Sequence, residues 1–111
     1  MRQMHKLTVS CATAWLMLSL LGSSALAQSP AQRGRALLQE RCASCHAIGK
    51  TGNSAHEAAP AFRTLGRSYD LDRFTRRLQR GLEPGHPDMP AFRFGEADAR
   101  AVSAYLRTIQ K

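Results

Sequence analysis

The chain is poor in cysteine, tryptophan and acidic residues, and each shortage narrows what it can be. It has three cysteines and one tryptophan. Cys11 and Trp15 both fall in an amino-terminal stretch laid out like a secretory signal peptide. Arg2 and Lys6 give a positive start, an apolar run extends from about Leu7 to Leu21, and small residues end in Ala25-Leu26-Ala27. Residues 1–27 are therefore expected to be cleaved, leaving 28–111 as one small domain. The apolar run falls short of the ~20 residues that span a bilayer, so no stable membrane insertion is expected after cleavage. Cys11 precedes most of that run, whereas an acylated lipoprotein cysteine would follow it. What remains holds only Cys42 and Cys45, no tryptophan, and a single methionine, Met89.

Acidic residues number eight against sixteen lysines and arginines, a net charge of +8 that becomes +6 once Arg2 and Lys6 are lost. A basic surface suits nucleic acid, a membrane surface or an acidic protein. Export argues against nucleic acid, and no basic helix carries interleaved aromatics for stacking. A solvated basic face and an acidic docking partner remain.

There is no alternating run long enough for a strand and no internal repeat. Three segments carry helical periodicity instead. The first spans Ala31 to Cys42, with Pro30 at its start, where a missing N–H does no harm. The second spans Asp70 to Arg80, with Asp70 as cap, Gly81 as stop, and Leu71, Phe74 and Leu78 on one face. The third spans Glu96 to Gln110, with an apolar stripe of Ala101, Val102, Tyr105, Leu106 and Ile109. Its acids Glu96 and Asp98 lie near the positive end of the helix dipole, and Arg107 and Lys111 near the negative end. Two loops lie between these helices. One, 47–59, is small and polar. The other, EPGHPDMP, carries prolines at 84, 87 and 90, and each ring fixes φ and removes a donor.

The stretch ERCASCHAIG, Glu40 to Gly49, admits three readings. A Cys42–Cys45 disulfide or redox dithiol suits an exported protein, yet the dithiol reading expects a βαβ setting that this helical sequence does not offer. Structural zinc needs four ligands, and the cysteines with His46 supply three. His56 could make the fourth, at a spacing that fits no common zinc finger. C-x-x-C-H is also the attachment signature of c-type haem. On a helical turn positions i, i+3 and i+4 share one side, so both thiols can form thioethers while His46 binds iron. This third reading explains most, because export matches where such haem is attached. Met89 is the candidate for the other face of the iron. A thioether is a soft ligand that raises the reduction potential, and a proline-stiffened loop lowers the entropy cost of a weak bond. His86, three residues away, and His56 are the rival ligands.

On these residues the sequence resembles the class I c-type cytochromes, the small soluble monohaem electron carriers, over essentially the whole of 28–111. Gly34, Leu38 and Cys42 match that family's four-residue spacing of glycine, apolar or aromatic residue and first haem cysteine. AVSAYLRTI resembles its carboxy-terminal helix, which crosses the first helix at the glycine. Met89 in PDMPAF resembles its methionine-ligand loop. AAPAFRTLGR resembles the segment whose proline carbonyl orients the proximal histidine, which assigns that role to Pro60. Arg67 resembles a residue that meets a haem propionate. The family's frequent tryptophan near the haem is absent, and Phe62, Phe74, Leu78 and Phe94 are the candidates for packing against the ring.

The resemblance implies an all-α cytochrome c fold, three main helices packed around one haem c linked through Cys42 and Cys45. It implies a periplasmic one-electron carrier rather than an enzyme, with His46 and Met89 as metal ligands and Pro60 and Arg67 beside the cofactor. Its partners would be redox proteins (a dehydrogenase, a cytochrome complex or an oxidase) that offer acidic docking surfaces to a monomer. The alternative is a haem c protein with an open or displaceable sixth site, acting in gas sensing or peroxide chemistry.

Overall fold

The computed structural model describes residues 26–83 and 87–111. The expected signal segment, apart from Leu26 and Ala27, and the rival ligand His86 lie outside the described residues. Among the described residues four α-helices follow in order: α1 Pro30–Arg41, α2 Leu65–Ser68, α3 Leu71–Arg80 and α4 Glu96–Ile109, with a 3-10 turn, Phe62–Thr64, running into α2. The described residues form no named strand. One isolated antiparallel bridge pairs Leu82 with Phe92. No helix among the described residues is long and apolar enough to cross a membrane.

Local chemistry sets the helix ends. Ser29 caps α1 through a reciprocal pair: its Oγ accepts from Gln32 N–H at 3.2 Å, and its N–H donates to Gln32 Oε1 at 2.9 Å. This capping box satisfies two donors that a helix start leaves without partners. Asp70 caps α3, its Oδ1 accepting from Arg73 N–H at 2.7 Å. Gly81 stops α3 with φ 112°, a backbone conformation that a side chain would strain.

The core lies where α1 and α4 cross. A Cβ placed on Gly34 would sit 2.0 Å from the carbonyl oxygen of Ala101 and 2.9 Å from the backbone nitrogen of Val102. Only glycine lets the two backbones come this close. Around the crossing, Leu38, Ala99, Val102, Leu106 and Ile109 are buried. Ile48, Tyr105 from α4, Leu78 from α3, Phe94, and Phe62 and Leu65 from the 62–68 segment complete the cluster. Ion pairs reinforce the packing at the surface: Arg33 Nε donates to Asp98 Oδ1 at 3.0 Å across α1 and α4, and Arg107 pairs with Asp72 across α4 and α3. This is an all-α cytochrome c fold.

The expected helices appear within a residue of their bounds. Cys42 is the carboxy-terminal cap of α1 rather than part of it. The fourth helix, α2, went unexpected because its four residues are too few to show a period. It is held by the far end of the chain. Gln110 Oε1 accepts from Gly66 N–H at 2.7 Å, Gln110 Nε2 donates to the Phe62 carbonyl at 3.0 Å, and Lys111 N–H donates to the Arg63 carbonyl at 3.1 Å.

Candidate haem-binding cleft

Where α1 ends, the backbone makes one further turn that carries the whole C-x-x-C-H stretch. Ala43 N–H bonds the Leu38 carbonyl at 3.0 Å, and Cys45 and His46 N–H bond the Cys42 carbonyl at 3.2 and 2.9 Å. The turn presents both cysteines and the histidine together. Both thiols are free and half-buried.

The loop that follows is tied back onto this turn. His56 N–H donates to the Cys45 carbonyl at 3.1 Å, Ala47 N–H to Ser54 Oγ at 3.0 Å, and Phe62 N–H to the Ala47 carbonyl at 2.9 Å. Tyr105 reaches from α4 to donate its buried hydroxyl proton to the Ile48 carbonyl at 2.7 Å. A tyrosine buried this deeply needs such a partner, and the bond pins the loop to the core.

His46 Nδ1 stands 2.8 Å from the Pro60 carbonyl oxygen. A carbonyl only accepts, so Nδ1 carries the proton, and in the neutral ring the Nε2 lone pair is available to a metal. Phe62 packs on the imidazole with ring centroids 4.6 Å apart, restricting its tilt. Cys42, Cys45, His46, Pro60 and Met89 line one cleft of about 280 Å³, together with Arg41, Ala59 and Pro90.

These residues fit covalently attached haem better than the other two readings of the motif. Burial pushes the Cys42 thiol up to about 11, against partial relief from Arg41. A redox dithiol works through a lowered thiol pKa, so the shift has the wrong sign for that role. Among the described residues, no group of three or more His, Cys, Asp or Glu side chains could hold a metal ion, which leaves zinc without a ligand set. Two thiols on one turn and an oriented imidazole are what a c-type haem requires for attachment and proximal ligation, and Met89 lines the same cleft.

Other residues singled out from the sequence lie outside the cleft or at its border. Arg67 is exposed on α2 and is not among the cleft residues. Its Nε donates to the Lys111 carbonyl at 3.2 Å, which ties α2 to the carboxy-terminal residues. Phe62, Leu78 and Phe94 are buried in the core and Phe74 packs against it, and none of the four lines the cleft. His56 borders the cleft with both ring nitrogens engaged. Ala58 N–H donates to Nδ1 at 3.2 Å, so Nε2 carries the proton and donates to Asp88 Oδ2 at 3.3 Å. Arg41 is a cleft residue that sequence reasoning passed over, its guanidinium 5.7 Å from the Phe94 ring centroid. Its position immediately before Cys42 was the available signal.

Neither the curated proteins nor the solved structures contain a match to this chain. A family model described as cytochrome C oxidase, cbb3-type, subunit III matches residues 29–106, from the cap of α1 to the last turns of α4, and takes in every cleft residue. The chain belongs to that family, and it is a c-type cytochrome.

Proposed function

We propose that the protein is a periplasmic one-electron carrier of the small, soluble, monohaem kind, whose haem c is linked through Cys42 and Cys45 and ligated by His46 and Met89. Electron transfer through haem c is what a cytochrome c domain provides. The observation that supports the finer reading is the His46–Pro60 hydrogen bond of 2.8 Å, which in the neutral ring keeps the Nε2 lone pair for a metal, in a cleft that Met89 also lines.

Haem, when bound, supplies the iron couple that takes up and releases the electron. The chain's own residues do the rest. The Pro60 carbonyl fixes the imidazole tautomer and raises the basicity of Nε2. Met89, half-buried between Pro87 and Pro90, offers its sulfur from a segment of restricted φ. Two ligands held by stiff backbone need little rearrangement when the charge on the metal changes. The buried aromatic and aliphatic residues behind the cleft lower the local dielectric.

Helix α3 is the candidate docking face. Arg73, Arg76 and Arg80 are exposed on it, while its acid Asp72 pairs with Arg107 and the preceding Asp70 is taken up as the cap. The face is therefore strongly positive and suits an acidic surface on a redox partner. The printed description of the family names an oxidase subunit, which favours an oxidase complex among such partners. The signal-like sequence of residues 1–27 supports a periplasmic site, and a monomer is the proposed state.

The test is an absorption spectrum of the reduced, haem-loaded protein before and after carbon monoxide. The expected result is haem bands that carbon monoxide leaves unchanged, because both axial positions are occupied. A marked shift would replace this reading with an open-site protein acting on gases or peroxide. Absence of haem bands despite a competent attachment system would sink it.

A further inference from the structure

The geometry points to a clasp between His56 and Asp88 that holds the Met89 segment against the cleft and sets how readily Met89 leaves its place. The inference rests on the His46/Met89 ligation proposed above and adds two positioning residues to it.

His56 is fixed on one side and reaches across on the other. Its N–H is bonded to the Cys45 carbonyl at 3.1 Å, and its own carbonyl accepts from Ala59 N–H at 3.0 Å. Its ring is oriented by the Ala58 N–H on Nδ1 at 3.2 Å. The imidazole is thus a rigid extension of the turn that carries the cysteines. What it reaches is Asp88 Oδ2, at 3.3 Å, on the residue immediately before Met89. The two residues are 32 positions apart and both border the cleft. The Leu82 N–H to Phe92 carbonyl bond of 2.8 Å pairs residues on either side of the Met89 segment, and the His56 contact holds the residue immediately before Met89.

Such an arrangement couples the two ligands through the protein. The backbone that positions His46 also carries the donor that positions the residue next to Met89. The side chains of the pair are 37% and 64% exposed, so water competes for the contact and its effect is modest. A modest contact suffices, because the Met–iron bond it supports is itself weak.

The experiment uses the haem-loaded protein and its variants His56→Ala, Asp88→Ala, the double variant and His56→Gln. Two readouts are taken on the oxidised form: its affinity for added imidazole, which competes with Met89, and its sulfur-to-iron charge-transfer absorption. Each alanine variant is expected to bind added imidazole roughly threefold more tightly than wild type, with a weaker charge-transfer band. The double variant should go no further than either single one, because both remove the same contact. His56→Gln, whose amide can still donate to Asp88, should keep the wild-type values. If wild type shows the band and the alanine variants leave affinity unchanged, or their effects add fully in the double variant, the clasp is wrong and the ligation stands. If wild type lacks the band and binds carbon monoxide freely, the His46/Met89 reading fails and the clasp goes with it.

Discussion

At the α1–α4 crossing, Ala99 and Val102 are fully enclosed, and Gly34 meets the Ala101 carbonyl with no room for a methyl group. Thirteen residues before Val102, Met89 sits in a segment where Pro87, Asp88 and Pro90 are exposed and the methionine itself is half-buried. The first region is specified by shape and the second by covalent stiffness and a few polar contacts. One has to be immovable, because it sets where the C-x-x-C-H turn leaves α1. On the proposed ligation, the other presents a sulfur whose bond to the metal is weak, so it needs preorganisation more than packing. A small haem protein can therefore spend its apolar residues on one crossing and leave its second ligand near the surface.

Substitutions should separate the two regions by the size of their effects. Gly34→Leu should have the largest effect. The obstacle is backbone rather than a movable side chain, so the cost should exceed the ~1–3 kcal/mol of ordinary overpacking. The expected outcome is no recoverable folded haem protein, and a near-wild-type melting temperature would show that the crossing can yield. Tyr105→Phe should come next, at about 1–3 kcal/mol, because it leaves the buried Ile48 carbonyl without its donor. Denaturant unfolding of the haem-loaded variant measures this. Met89→Ala should cost the crossing little while opening a coordination position. Its reduced form should bind carbon monoxide where wild type does not, and an unchanged response would remove Met89 from the metal. Replacing Arg73, Arg76 and Arg80 by Gln should have the smallest effect on the fold. It should slow reaction with an acidic redox partner and flatten the salt dependence of that rate. A rate and salt slope equal to wild type would move docking off α3.

Much of this was legible in the chain because the signals are local. Asp70, Gly81 and the apolar spacing in α3 announce its ends and inner face, and the Gly34–Leu38–Cys42 spacing marks the crossing. The turn 42–46 could be read because its chemistry needs three residue types at fixed intervals. The 62–68 segment could not, since it is held by Gln110 and Lys111 from far along the chain, and no local pattern encodes that. The four apolar residues expected against the haem lie in or against the core, and none lines the cleft. Periodicity shows which residues turn inward but not whether they meet a cofactor or one another. Arg67 was placed by motif position alone, and the Lys111 carbonyl that engages it is likewise distant in sequence.

The crossing also has a consequence in time. Arg33 and Asp98, which bridge α1 and α4, are 65 residues apart, and the Tyr105–Ile48 bond closes a span of 57. A chain emerging from its amino terminus therefore has the C-x-x-C-H stretch in the open well before α4 is available to dock. Loop closure on this scale is late by topology, since the entropy of joining distant segments is lost before their contacts repay it. The two thiols pass through a window in which nothing from the far end of the molecule covers them. The fold leaves the C-x-x-C-H stretch accessible first, and the α4 contact that pins its following loop through Tyr105 forms last.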